Sequence, residues 1–248
     1  MRRNIFDREN RRENVRFIAH RGFTPTAPEN TLVSFEEAGK RGFWAIETDV
    51  HKTRDGALVC CHDSNTLKMY GEDLVIEDVT LADLRKLRVI KGNNVDSIAK
   101  ELLRIPLFSE YIEICKRYCA VPFLESKGNV SVVGDIIDYL KKEDMTDLSV
   151  FSSIQLEHIL AAADISDVIF LHHIFSSEEN LPTLGRRGNC GVSYNYPDLS
   201  KVPEGLIERT HEAGVKVCLR AGDTIEKCLI MLDMKLDYIP TNKIASLM

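Results

Sequence analysis

A (β/α)8 barrel is the fold this sequence predicts, on three observations. Short β-branched and apolar runs alternate with longer segments of helical period, the rhythm of βαβ units and a parallel sheet. Eight of those runs can be laid side by side, the number a barrel of this kind needs to close. At 248 residues with 44% apolar side chains, the chain has the length and the core-forming material of a single α/β barrel domain.

The first strand reads from Val15 to Ala19 and the second from Trp44 to Asp49, with Thr31–Arg41 between them as a helix that puts Leu32, Phe35 and Ala38 on one face. A further run, Ala57–His62, follows the second strand too closely for a crossover helix and must turn back antiparallel. Asp55-Gly56 is a two-residue hairpin signal, so Arg54 is expected to face Ala57 and Asp49 to face His62. Beyond it, expected helices at Thr80–Leu87 and Leu107–Arg117, joined by the polar stretch Lys91–Lys100, form a short helical excursion over the barrel mouth before the third parallel strand, Val121–Ser126. The remaining strands read Leu148–Phe151, Val168–Leu171, Gly191–Tyr194, Val215–Leu219 and Asp237–Pro240. Ser152 with Gln155 reads as a capping box for a helix over Ile154–Ala163. The last helix, Thr224–Met234, is expected to turn Ile225, Leu229 and Leu232 inward with Asp223 as its cap.

Composition narrows the function classes. The net charge of -6 comes from interspersed acids and bases, so no basic field invites nucleic acid. Residues 1–14 are polar and of mixed charge, followed by one domain over 15–248, and no apolar run is long enough to span a membrane. A cytoplasmic protein is the expectation, and its oligomeric state is not legible. Most of the seven cysteines, which show no C-x-x-C spacing, read as reduced, buried small hydrophobes. Cys115 and Cys119, four apart on a helix, have no further ligand type nearby.

Chemistry concentrates at the ends of the first three parallel strands, where such barrels place catalytic side chains. His20 and Arg21 follow the first strand, a candidate general acid or base beside a planar cation suited to phosphate oxygens. Glu47 and Asp49 are two apart on the second strand and point the same way. Two acids aimed at one space imply a hard divalent cation or a shared proton. Glu125 and Lys127 repeat the spacing on the third strand. With His62 returned by the hairpin, the rim gathers a cation site, two histidines and two phosphate-directed cations. His172 and His173 follow the fifth strand at the same rim, whereas His158 and His211 read as packing or surface residues. Phe151, Tyr194 and Tyr196 are candidate pocket walls or core, and Arg220 is a candidate contact to an acidic group on the substrate.

The run Phe17-Ile18-Ala19-His20-Arg21-Gly22, then Pro28-Glu29-Asn30-Thr31, Glu47-Thr48-Asp49-Val50, Thr53-Arg54-Asp55-Gly56 and His62-Asp63, resembles the signature of the glycerophosphodiester phosphodiesterase family. That resemblance implies a TIM-type barrel, one divalent cation, Mg2+ or Ca2+, and hydrolysis of a glycerophosphodiester to glycerol 3-phosphate and an alcohol. It places the family's metal ligands on Glu47, Asp49 and Glu125, its catalytic histidines on His20 and His62, and its phosphate contacts on Arg21 and Lys127. Glu29 is expected to orient Arg21 or His20, and Asn30 to order the loop. The match thins towards the C-terminus: Cys218-Leu219-Arg220-Ala221 stands where the family usually has Trp-Thr-Val-Asn, and Thr241-Asn242-Lys243-Ile244 where it often has Thr-Asp-x-Pro. Two other functions fit the same residues. One is a phospholipase D-like headgroup hydrolase, separable by its action on lysophospholipid vesicles. The other is a catalytically silent protein that binds a phosphorylated metabolite without turnover.

Overall fold

The strands of the computed structural model are β1 (Phe17–Ala19), β2 (Ala45–Lys52), β3 (Leu58–Cys60), β4 (Val121–Ser126), β5 (Val150–Ser153), β6 (Phe170–His173), β7 (Cys190–Tyr194), β8 (Lys216–Leu219) and β9 (Ile239–Thr241). Ile5 and residues 16–244 are described; the rest of the polar segment 1–14, with Val15, lies outside them. All but β3 run parallel in the order β8-β7-β6-β5-β4-β2-β1-β9. Between the two ends of that order, Asp237 N donates to Val217 O at 3.0 Å and Gly222 N to Pro240 O at 2.9 Å, so the barrel is nearly closed. The helices α1 (Leu32–Lys40), α2 (Leu67–Tyr70), α3 (Leu81–Leu84), α4 (Phe108–Tyr118), α5 (Val132–Lys142), α6 (Leu156–Ile165), α7 (Leu181–Arg187), α8 (Leu206–Glu212) and α9 (Ile225–Asp233) fill the connections.

The eight expected parallel strands are all present, several with shifted limits. β5 and β6 each end two residues later than expected, because Ser152, Ser153, His172 and His173 are polar yet buried and hydrogen-bonded within the sheet or its loops.

The hairpin register differs from expectation by one residue. Val50 faces Cys60 and Lys52 faces Leu58, and Cys61 N donates to Asp49 O at 3.0 Å. Asp49 therefore faces Cys61, not His62. The turn takes three residues rather than two: Thr53 N donates to Ala57 O, Thr53 Oγ1 accepts from Ala57 N, and Gly56 sits at φ +87°. A three-residue hairpin loop with glycine in the left-handed region is the alternative to the two-residue turn, and it shifts the register by one. His62 leaves the ladder just beyond β3 and still enters the barrel mouth.

Two helix starts also differ. α6 has no capping box: Ser152 Oγ donates to Leu124 O within the sheet, and Ser153 Oγ accepts from Gln155 N at 3.1 Å. α9 is capped by Thr224, whose side chain accepts from Lys227 N, while Asp223 bonds elsewhere. The buried face of α9 is Cys228 and Met231, whereas Ile225 and Leu229 are about half exposed. Apolar residues occupy every position from Cys228 to Leu232, so periodicity alone could not choose the face.

Strand alternation then sorts the side chains. Outward residues such as Ala19, Ile46, Leu124, Phe151, Leu171, Val192 and Leu219 join the core beneath the helices. Inward residues Ile18, Ala45, Val121, Phe123, Val150, Phe170, Cys218 and Tyr238 form a second core, closed by Trp44 stacked on Tyr238 at 5.9 Å and by Ile5, whose carbonyl accepts from Trp44 Nε1. The excursion between His62 and Leu107 has its own small core around Ile76, Leu84 and Ile105. It docks beside the mouth: Asn93 and Asn94 side chains donate to Thr24 O and Thr26 O, and Glu77 accepts from Asn129 N. No helix among the described residues is long and apolar enough to cross a membrane.

Candidate active site

The inward positions one step beyond the interior core are Glu47 and Asp49 on β2 and Glu125 on β4, and the ladder sets Asp49 directly beside Glu125. Their carboxylate oxygens lie within 4.8 Å of one another and all three residues are buried. Such a cluster is costly without cationic partners. Two are present. Lys127 Nζ lies 2.5 Å from Glu125 Oε1 and 3.1 Å from Asp49 Oδ1, and Arg21 Nε lies 3.6 Å from Asp49 Oδ2.

The carboxylates respond differently. Burial, then Asp49 and Glu125, pushes Glu47 well above the usual range, and burial with Asp49 pushes Glu125 up to about 7. Burial works to raise Asp49 too, but Lys127 and Arg21 outweigh it and hold that carboxyl below its ordinary value. Asn30, in the left-handed region at φ +51°, donates from Nδ2 to Asp49 Oδ2 at 2.9 Å and accepts from Thr48 Oγ1. It thus does more than order its loop. Asp49 Oδ1 accepts no well-aligned hydrogen bond although it is buried. Three convergent, buried carboxylate donors fit a hard divalent cation.

Arg21 is also left-handed, at φ +59°, and its backbone N–H donates to Glu47 Oε2 at 2.8 Å. Backbone strain of this kind is held by surrounding bonds and gathers at functional sites. Its guanidinium is steered by Glu29, at 3.2 Å from both carboxylate oxygens. Glu29 is also 3.5 Å from Lys68 on α2, which lies 3.8 Å from Asp63. Asp63 Oδ1 is 2.7 Å from His62 Nδ1. The excursion therefore ties the Arg21 and His62 loops together through one lysine.

His20, His62, Arg21, Glu47, Glu125 and Lys127 line a single cavity of about 510 Å³. The expected site residues are thus brought together, with Asp49 in their midst. Arg220 lines the same cavity, as do His172 and Tyr196. Phe151 and Tyr194 do not serve as pocket walls: both are buried in the outer core, with Tyr194 Oη 2.9 Å from Thr210 Oγ1 of α8. Their strands present Ser152 and Ser193 inward instead, so parity excludes them. The remaining polar wall includes Asp223 and Asn242, which motif reading missed. Position 242 continues the inward series of Tyr238 and Pro240, the one signal that could have marked it.

A model of the Glycerophosphoryl diester phosphodiesterase family matches residues 20–246. A Glycerophosphodiester phosphodiesterase of Bacillus altitudinis is 28% identical over 186 residues, 70% of this chain and 74% of its own length. Glycerophosphodiester phosphodiesterase 1 of Mus musculus is 31% identical over 121 residues, 49% of this chain, and the match covers 36% of the mouse protein. For the Probable glycerophosphodiester phosphodiesterase 2 of Mycobacterium tuberculosis the covered share is 37%, so the chain spans little more than a third of the length of these two relatives. Among solved structures, an Oleispira antarctica phosphodiesterase in complex with the product sn-glycerol-3-phosphate superposes with a TM-score of 0.82 at 24% identity, over 94% of each chain. The Thermotoga maritima glycerophosphodiester phosphodiesterase gives 0.74 at 18% identity, over 94% of this chain and 96% of its own. With a barrel of the same build and a family match running over residues 20–246, the chain belongs to the glycerophosphoryl diester phosphodiesterase family.

Proposed function

We propose that this protein hydrolyses glycerophosphodiesters to glycerol 3-phosphate and an alcohol, with one divalent cation, Mg2+ or Ca2+, held by Glu47, Asp49 and Glu125. The observation that carries the reading is the buried trio of carboxylates within 4.8 Å of one another, set in one cavity with two histidines and two cationic side chains. Family membership supports the choice of substrate class.

When bound, the cation supplies a Lewis acid for a phosphoryl oxygen. The protein's own groups do the rest. Arg21, braced by Glu29, presents its guanidinium to phosphate oxygens, and Lys127 adds a point charge from just beyond β4. Charge that develops on those oxygens is stabilised by groups already in place. One histidine accepts the proton of the attacking hydroxyl or water, and the other returns a proton to the leaving alkoxide, so the pair ends with no net change. His62, its Nδ1 engaged by Asp63, has Nε2 for that transfer.

A panel of glycerophosphodiesters assayed with and without chelator, reading glycerol 3-phosphate, tests the proposal. Chelator-sensitive release from at least one member is expected, and none from any member would reject it. On a diester that is cleaved, His20→Ala and His62→Ala should each lower kcat by about two to four orders of magnitude.

A further inference from the structure

His20 Nδ1 lies 2.6 Å from Asn242 Oδ1. An amide side chain has an accepting and a donating end, and its neighbours decide which end faces which way. Here the far neighbour is a carboxylate. Asn242 Nδ2 donates to Asp223 Oδ2 at 2.9 Å, and Asn242 backbone N–H donates to Asp223 Oδ1 at 2.7 Å. A carboxylate only accepts, so Nδ2 must face Asp223 and Oδ1 must face the imidazole. An oxygen at 2.6 Å then requires a proton on His20 Nδ1. In the neutral ring Nε2 is left as the lone-pair atom, with no hydrogen-bond partner among the described residues, in the cavity that His20 lines.

We propose that Asp223 and Asn242 are positioning residues that hold His20 in its Nδ1-protonated tautomer, so that Nε2 is the atom that first accepts a proton. Its catalytic consequence rests on the hydrolytic reading above; its geometry does not. In the reaction Nε2 takes the proton of the attacking O–H while Nδ1 keeps its own, and Asn242 Oδ1 continues to accept from Nδ1 as the ring becomes imidazolium. His62 then serves as the proton donor to the leaving alkoxide. Asn242 directly follows β9 and Asp223 lies in the loop between β8 and α9, where it is spent on this role rather than on capping α9.

The chain of donors and acceptors predicts an inversion. In Asp223→Asn the new amide keeps its oxygen on Asn242 N–H and turns its NH2 towards the Asn242 side chain. Two NH2 groups cannot face each other, so Asn242 flips and presents Nδ2 to His20, which is driven to the Nε2-protonated tautomer. Adding Asn242→Asp supplies a carboxylate that accepts from both sides, and the Nδ1-protonated form returns.

The test is long-range 1H–15N correlation NMR on protein labelled at histidine nitrogen, at about pH 8 where an ordinary imidazole is neutral, with the His20 signals assigned by their absence in His20→Gln. Nδ1–H in the wild type, Nε2–H in Asp223→Asn and Nδ1–H again in the double variant are expected. Wild type with Nε2–H, or Asp223→Asn with an unchanged tautomer, would overturn the proposal. The wild-type spectrum decides even if a variant does not fold. On a cleaved diester, Asp223→Asn should lower kcat by about tenfold to a hundredfold with KM little changed, and the double variant should recover most of it. A tautomer that switches as described in a protein that cleaves no diester would leave this relay standing and remove the hydrolytic reading alone.

Discussion

His172 shows what the barrel interior does to a single side chain. Its ring packs edge-on against Phe123 at 5.2 Å and Tyr238 at 5.4 Å, with Nδ1 2.6 Å from the Tyr238 hydroxyl. Burial, and then the neighbouring His173, pushes the imidazole down to about 3. The folded chain therefore binds fewer protons here than the unfolded chain, whose histidine keeps the ordinary value of 6.5. Stability from this group is complete above that value and is lost as pH falls towards 3. Between about pH 7 and about pH 5 the loss is on the order of 2 kcal/mol. Denaturant unfolding at both pH values should show that loss in the wild type and not in His172→Phe; equal pH dependence in the two would contradict it. At this scale the site was legible wherever two functional residues share a strand face, as in Glu47 with Asp49 and Glu125 with Lys127. Phe151 and Tyr194 were left open between wall and core because residue type does not reveal parity when a strand's limits are uncertain. Asp223 and Asn242 escaped because their meaning lies in their contact with each other.

The hairpin and the excursion show where elements were harder to read than residues. Asp55-Gly56 announced a turn correctly, but its length depends on Thr53, whose hydroxyl bonds Asp55 at 2.6 Å and Ala57 at 2.9 Å and so adds a residue to the loop. No periodicity reports such a bond. The excursion, in turn, is fastened to the barrel through a close approach. Gly128, at φ +75°, follows Lys127, and a Cβ there would fall 1.8 Å from Glu77 Oε1, the atom that accepts from Asn129 N. Gly128→Ala is expected to cost about 1–3 kcal/mol. It should also speed amide hydrogen exchange in residues 63–106 more than in the strands; uniform exchange across the molecule would refute that attachment. Helix positions were legible where a threonine cap bounded an apolar run, as at Thr31 and Thr224. The buried face was not where apolar residues surround the helix, as in α9.

For the whole molecule, the cation proposed for the carboxylate trio would couple its binding to folding. A ligand that binds the folded state alone stabilises it by about 2.7 kcal/mol at a hundred times its dissociation constant. Thermal melts are expected to shift upward with added Mg2+ or Ca2+, and Glu47→Gln should abolish the shift; a shift that persists in that variant would place the cation elsewhere. The barrel as a class was legible because strand and helix runs alternate along the entire chain, and its closure required only the count.

Closure has one more consequence, through the bond that joins His20 to Asn242 across 222 positions of sequence. The residues proposed to hold the cation are all translated by Glu125, about midway along the chain. The residue proposed to set His20 is translated 117 positions after Glu125 (242 minus 125). A nascent chain would therefore hold its carboxylates long before it could orient the proposed proton acceptor, and competence for the proposed chemistry would be acquired only when synthesis has passed Asn242.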